Sequence, residues 1–268
     1  MENKIFEEIK KLTEGYKGID DPLKRLDWLK HLIDSYKRYL PDRVVDKIKI
    51  DPKAKRIEGE RRNVTVLFAD LSGFTALSER LDAEDIANII NDFFTQMVRI
   101  VIKYGGSVDK FLGDALLVLF GAPVAHYDDP ERAVRAAWEM QQEMRRFNIE
   151  KKFEHLLAMS IGMNTGPAVA LNVGSEERME YTVIGDTVNL AARLEGISGP
   201  GEIIISQNTY EKIADVVEVE KRPSVKVKGK KKPIVNYLLK EIREHYRLPA
   251  ITRLKIVGRT DELKIIRD

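Results

Sequence analysis

The sequence predicts an α+β fold, and three observations predict it. Val64-Thr65-Val66-Leu67-Phe68-Ala69 is β-rich and mostly apolar, the pattern of a strand buried on both faces. Ile86, Ile89, Ile90, Phe93, Phe94, Met97, Ile100 and Val101 then recur on one face of a long helix that starts behind Asp82 and stops at Gly105-Gly106. Two β-rich runs, 107–111 and 115–120, flank Leu112-Gly113-Asp114, which reads as a hairpin. A second helix is expected from about 130 to 147, with Ala133, Val134, Ala137, Met140 and Met144 inward. A strand is expected to follow. The order strand, helix, strand, strand, helix, strand is the ferredoxin-like βαββαβ unit. That fold hosts many functions and names none.

The other elements follow in order. Residues 156–164 and 168–173 read as a strand pair around Thr165-Gly166-Pro167, and 188–194 as a short helix. Residues 203–205, 216–219 and 234–239 read as extra C-terminal strands. Residues 1–60 are a charged N-terminal helical segment. Ile5, Ile9 and Leu12 form one apolar stripe there, Leu26, Leu29, Ile33 and Tyr36 another, and Pro41 marks a helix start. Residues 61–240 are the main domain, and 241–268 a polar linker.

Composition narrows the function. Of 268 residues, 43% are hydrophobic, enough for a sizeable core, and the net charge of +2 gives no push toward nucleic acid. With no cysteine, disulfides, thiolate nucleophiles and cysteine-ligated zinc are excluded. No run of 18 apolar residues is present, so no membrane span is expected, and the charged N-terminus is no signal peptide. A cytoplasmic location is the expectation. His31, His126, His155 and His245 are scattered and form no metal motif.

Three segments carry chemistry. In Phe68-Ala69-Asp70-Leu71-Ser72-Gly73-Phe74-Thr75, an apolar strand delivers a carboxylate, and a glycine-bearing turn leads into a helix. Such a turn offers backbone N–H groups to a phosphate, and the carboxylate can hold a hard cation touching the same phosphate. Taken alone, an Asp at a strand end is more often a cap or turn residue. Asp109-Lys110-Phe111-Leu112-Gly113-Asp114 places a second carboxylate in a hairpin turn, where Gly-Asp is common for backbone reasons. Paired with Asp70 it becomes a candidate two-metal site, in which carboxylates bridge cations roughly 3.5–4 Å apart. The third segment runs from Glu180 to Glu195. In it Asn189 and Arg193 stand at i and i+4 on one helix face, an amide beside a guanidinium that can serve a ribose and a phosphate together.

Together these segments resemble the class III adenylyl and guanylyl cyclase catalytic domain, over roughly residues 61–240. The motifs are long and occur in the family's order. The resemblance implies two divalent metal ions, Mg²⁺ or Mn²⁺, held by Asp70, Asp114 and the Leu71 backbone. It implies that the turn through Phe74 and Thr75 holds triphosphate, that Asn189 orients the ribose, and that Arg193 stabilises the transition state. Lys228 matches a triphosphate-contacting lysine, although it lies in a run, 221–232, with seven Lys or Arg, usually a solvated face.

The base is chosen at two positions. In the family, guanylyl cyclases carry Glu and Cys where this chain has Lys110 and Thr182, and adenylyl cyclases carry Lys with Asp or Thr. A lysine donates to adenine N1, and a threonine hydroxyl can accept from the 6-amino group. Guanine reverses both polarities, though a threonine can turn its hydroxyl and donate. The resemblance therefore implies ATP as substrate and similarity to the Thr-type subclass that includes bicarbonate-responsive soluble cyclases. In this family each site is split between two domains, and this chain holds both halves, so a homodimer with two equivalent sites is expected. Residues 256–263 resemble the lead-in to a downstream regulatory or ATPase module, with no phosphate-binding G-x-x-x-x-G-K-[ST] loop to confirm it. The alternatives weighed are a guanylyl or relaxed-specificity cyclase, a silent nucleotide-sensing module, and a diguanylate cyclase. The last is disfavoured because no GGDEF-type hairpin is present.

Overall fold

The computed structural model describes residues 59–151, 153, 156–175, 179–225 and 233–243. The expected N-terminal helical segment, the segment resembling an ATPase lead-in, and Lys228 lie outside the described residues.

The apolar run at 64–69 forms the middle of β1 (Glu60–Ser72). Val64 and Val66 pack into one face of the sheet, and Leu67, Ala69 and Leu71 into the other. A short helix α1 (Phe74–Ser78) follows, and then α2 (Ala83–Lys103). The α2 stripe buries Ile89, Phe93, Met97, Ile100 and Val101. Phe93 and Met97 have no exposed surface, and each such side chain contributes on the order of 1.5–3 kcal/mol. The hairpin is β2 (Ser107–Leu112) and β3 (Ala115–Phe120), turned at Gly113 with φ of 68°. Helix α3 (Asp129–Lys151) and strand β4 (Ala158–Gly174) complete the βαββαβ unit. The four strands lie in the antiparallel order β2-β3-β1-β4, as the sequence predicts.

The sheet continues through β6 (Ile203–Ser206), β8 (Ile234–Ile242) and β7 (Val217–Val225), while β5 (Met179–Ile184) pairs with β4 off that path. Helices α2, α3 and α5 (Gln207–Ile213) cover one face around Phe93, Met97, Met140, Met159 and Ile213. Helix α4 (Asp186–Glu195) lies on the other, its Ala191 among Val64, Val66, Ala168 and Val183. Among the described residues no helix is long and apolar enough to cross a membrane.

One expectation is corrected. Residues 156–164 and 168–173 are not a strand pair. A single strand of 17 residues runs through Thr165-Gly166-Pro167. The proline is accommodated because β6 covers only Ile161–Met163 of β4 and β5 only Val169–Gly174, which leaves a gap between them. The Pro167 carbonyl accepts from the Thr187 hydroxyl at 2.6 Å. In a strand a residue's N and C=O point the same way, so the missing N–H falls on that side and costs no ladder bond to β1.

Candidate active site

The carboxylate half of the site is built by β1 and the hairpin. Asp70 stands near the end of β1, opposite Ser160 of β4, half-buried. Asp114 occupies the β2–β3 turn, where the left-handed conformation of Gly113 reverses the chain. Burial, and then the charge of Asp114, push the Asp70 carboxyl above the usual aspartate range, while a hydrogen bond from the Leu71 backbone N–H pulls it down. The Asp114 charge is thus close enough to oppose the ionisation of Asp70, and a divalent cation between them would offset that repulsion. Leu71 is 1% exposed, with its side chain in the core, so only its backbone is available to a ligand. Phe74 begins α1 and packs on the core, and Thr75 follows it in the helix. Among the described residues no cage of three or more His, Cys, Asp or Glu side chains is preformed. The donor set nonetheless fits a hard cation of the Mg²⁺ type, which takes one or two carboxylates and fills its shell with phosphate and water.

A third carboxylate was not among the residues expected here. Glu195 ends α4, and burial together with the charge of Asp70 raises it to about 6. It closed the third motif in the sequence, but nothing there showed that α4 would bring it over Asp70. The close approach of α4 to β4 depends on Gly162, which lies under Ala191 and Glu195 with no room for a Cβ.

A second cluster gathers where β2 faces β5. Register is lost between Val108 and Lys110, so Asp109 is the unpaired residue of a β-bulge. Thr182 of β5 is buried and donates its hydroxyl to Asp109 Oδ2 at 2.9 Å. Lys110 Nζ lies 3.5 Å from the same oxygen and 3.4 Å from Glu180 Oε2. Burial raises the Asp109 carboxyl, against the lowering effects of Thr182 and Lys110. Asp109 belongs to the second motif, but its role comes from the bulge, which leaves no mark in the sequence.

Lys110 and Thr182 are therefore brought together, as are Asp70 and Asp114. Asn189 is exposed and Arg193 half-buried on α4, whose inward positions are Thr187, Ala191 and Leu194. The charge acting on Asp70 comes from Asp114 and that acting on Glu195 from Asp70, while those acting on Asp109 come from Lys110 and Glu180. One chain thus presents both groups, the carboxylates of Asp70, Asp114 and Glu195 and the set of Asp109, Lys110, Glu180 and Thr182. A cavity of about 600 Å³, lined by Arg62, Thr65, Thr165, His126 and Lys212 among others, opens at the start of β1, several residues from the chemistry-bearing end.

The site thus sits on a mixed sheet flanked by helices, with Asp70 near Asp114 and with Asn189 and Arg193 on α4. Residues 58–241 match the family model of the adenylate and guanylate cyclase catalytic domain, and the chain belongs to that family. An adenylate cyclase of Anabaena cylindrica is 32% identical over 228 residues, which cover 79% of this chain and 44% of that protein. Adenylate cyclase 1 of Rhizobium meliloti is 31% identical over 174 residues, 63% of this chain and 26% of that one. The chain thus spans less than half the length of these two curated relatives. Among solved structures, the adenylyl cyclase CyaB of P. aeruginosa superposes with a TM-score of 0.69 at 38% identity, over 70% of this chain and 98% of that one. The guanylyl cyclase Cya2 gives a TM-score of 0.67 at 41% identity, over 71% and 98%.

Proposed function

We propose that the chain is an adenylate cyclase, converting ATP to 3′,5′-cyclic AMP and pyrophosphate in sites shared across a homodimer. The observation that carries the reading is the convergence of Lys110 and Thr182 on Asp109 Oδ2, at 3.5 and 2.9 Å. It sets an ammonium donor beside a hydroxyl, the pair that adenine N1 and its 6-amino group call for. Threonine at 182 also supports the Thr-type subclass. That one chain carries both this cluster and the Asp70–Asp114 pair supports sites completed by a second copy. So do the exposed apolar residues Phe111 and Leu112 of β2 and Ile184 of β5, the strands that carry it.

In this reading the ribose 3′-oxygen attacks the α-phosphorus and pyrophosphate leaves. Asp70, Asp114 and the Leu71 backbone hold two divalent cations, which when bound supply a lowered 3′-hydroxyl pKa and a clamp on the triphosphate. Lys110 and Thr182 read the base. Asn189 orients the ribose, and Arg193 meets charge that grows on the α-phosphate only in the transition state. The turn through Phe74 and Thr75, with Lys228, contacts the triphosphate.

The test is product analysis from ATP and from GTP, with Mg²⁺ or Mn²⁺, across a range of protein concentrations. Cyclic AMP alone, with specific activity rising with concentration, is the expected result. A second reading, a guanylyl or relaxed-specificity cyclase, is favoured by the 41% identity to the guanylyl cyclase Cya2, higher than the 38% to CyaB. Cyclic GMP at a comparable rate would establish it.

A further inference from the structure

A free threonine hydroxyl carries one proton and two acceptor positions, so it can accept from the 6-amino group of adenine or donate to the 6-oxygen of guanine. By itself Thr182 would discriminate weakly. In the structure its proton is committed, because Thr182 Oγ1 donates to Asp109 Oδ2 at 2.9 Å. A carboxylate can only accept. With the proton turned inward, the hydroxyl presents lone pairs alone to any base seated against it.

The geometry points to Asp109 as the positioning residue that sets adenine selectivity, by fixing the Thr182 hydroxyl as an acceptor. This rests on the adenylate reading above and deepens it. Three observations converge. Asp109 is the bulge residue of β2, and a bulge re-aims a side chain that regular pairing would send elsewhere. Its side chain is 1% exposed, so water does not compete for the Thr182 proton. Its Oδ1 is buried without a hydrogen-bond partner. An unpartnered buried carboxylate oxygen costs stability, so a residue that only filled space here would be better apolar. Oδ2 also draws Lys110 Nζ to 3.5 Å, so one oxygen sets both base-reading groups. Guanine then meets lone pairs at its 6-oxygen and an ammonium at its N1–H.

The experiment compares kcat/KM for ATP and for GTP, with Mn²⁺, in the full chain. The proteins are wild type, Asp109→Leu, Asp109→Ala, Asp109→Asn, Thr182→Val, and Asp109→Leu combined with Thr182→Val. Leucine fills the volume and frees the hydroxyl; alanine is measured alongside in case leucine does not fold. Either lowers the ATP-to-GTP ratio by about tenfold, the worth of one hydrogen bond. Asparagine places its amide oxygen between the same two donors and keeps the ratio within about threefold of wild type. On the Thr182→Val background, Asp109→Leu changes the ratio by clearly less than it does with threonine in place, leaving only its effect through Lys110. A selective wild type whose ratio survives both Asp109→Leu and Asp109→Ala overturns the inference, since a structural role lowers both nucleotides alike. So does an equal effect with and without the Thr182 hydroxyl. A wild type that uses GTP as well as ATP overturns the adenylate reading, and this inference falls with it.

Discussion

Gly162 of β4 lies directly beneath Glu195 of α4, and a Cβ at 162 would collide with the Glu195 backbone nitrogen and the Ala191 carbonyl oxygen. Both obstacles are backbone, so neither can rotate away. The close approach seats the helix that carries Asn189 and Arg193. Gly162→Ala is therefore expected to cost at least about 3 kcal/mol in denaturant unfolding. It should also lower kcat by about 100-fold, because the helix must lift. Gly196→Ala is the control. That glycine has helical φ and ordinary contacts at 3.6 Å, so its stability should change by no more than about 1 kcal/mol.

The carboxylates near Asp70 predict a pH signature in metal-free buffer. Glu195 has a pKa of about 6 in the fold, against 4.5 for an ordinary glutamate. The folded state thus holds the proton more tightly than the unfolded chain does. The stability this contributes is fully present below pH 4.5 and is lost as pH rises through about 6. Glu195→Gln removes the ionisation. It should match wild type in thermal unfolding near pH 4.5 and exceed it at pH 8 by about 1 kcal/mol, after allowing for solvent screening. A constant difference across that range would contradict the assignment.

Arg193 is half-buried on α4, outside the set of buried positions Thr187, Ala191 and Leu194. If it meets charge that appears only in the transition state, Arg193→Ala lowers kcat by about 10²–10³ and leaves KM for ATP within about threefold. Steady-state kinetics check it. A rise in KM at unchanged kcat would instead mark Arg193 as a ground-state contact.

The βαββαβ core was legible because its signals are local. The α2 stripe, the apolar middle of β1 and the Gly113 turn each fix their own element. The misreadings depend on distant partners. Pro167 looks like a turn until the gap between β5 and β6 is known. Strand β5 hid inside a motif read for its chemistry. Helix α5 is seven residues long, and its one sequence mark is Ser206, whose hydroxyl accepts from Thr209 N. At the site, Asp70, Asp114, Lys110 and Thr182 were legible as motif residues, and the structure sets them in pairs. Asp109 and Glu195 were not, since their roles come from a bulge and from a helix crossing that no spacing encodes.

The account rests most on the division of one site between two copies of the chain. The direct measurement mixes Asp70→Ala protein with Arg193→Ala protein, each expected to be nearly inactive alone. Random exchange makes half of the dimers mixed, and in each mixed dimer one of the two sites has every residue intact. About a quarter of wild-type cyclic AMP formation should return. Mixed dimers demonstrated by differential tags, with no activity above that of the separate variants, would contradict it.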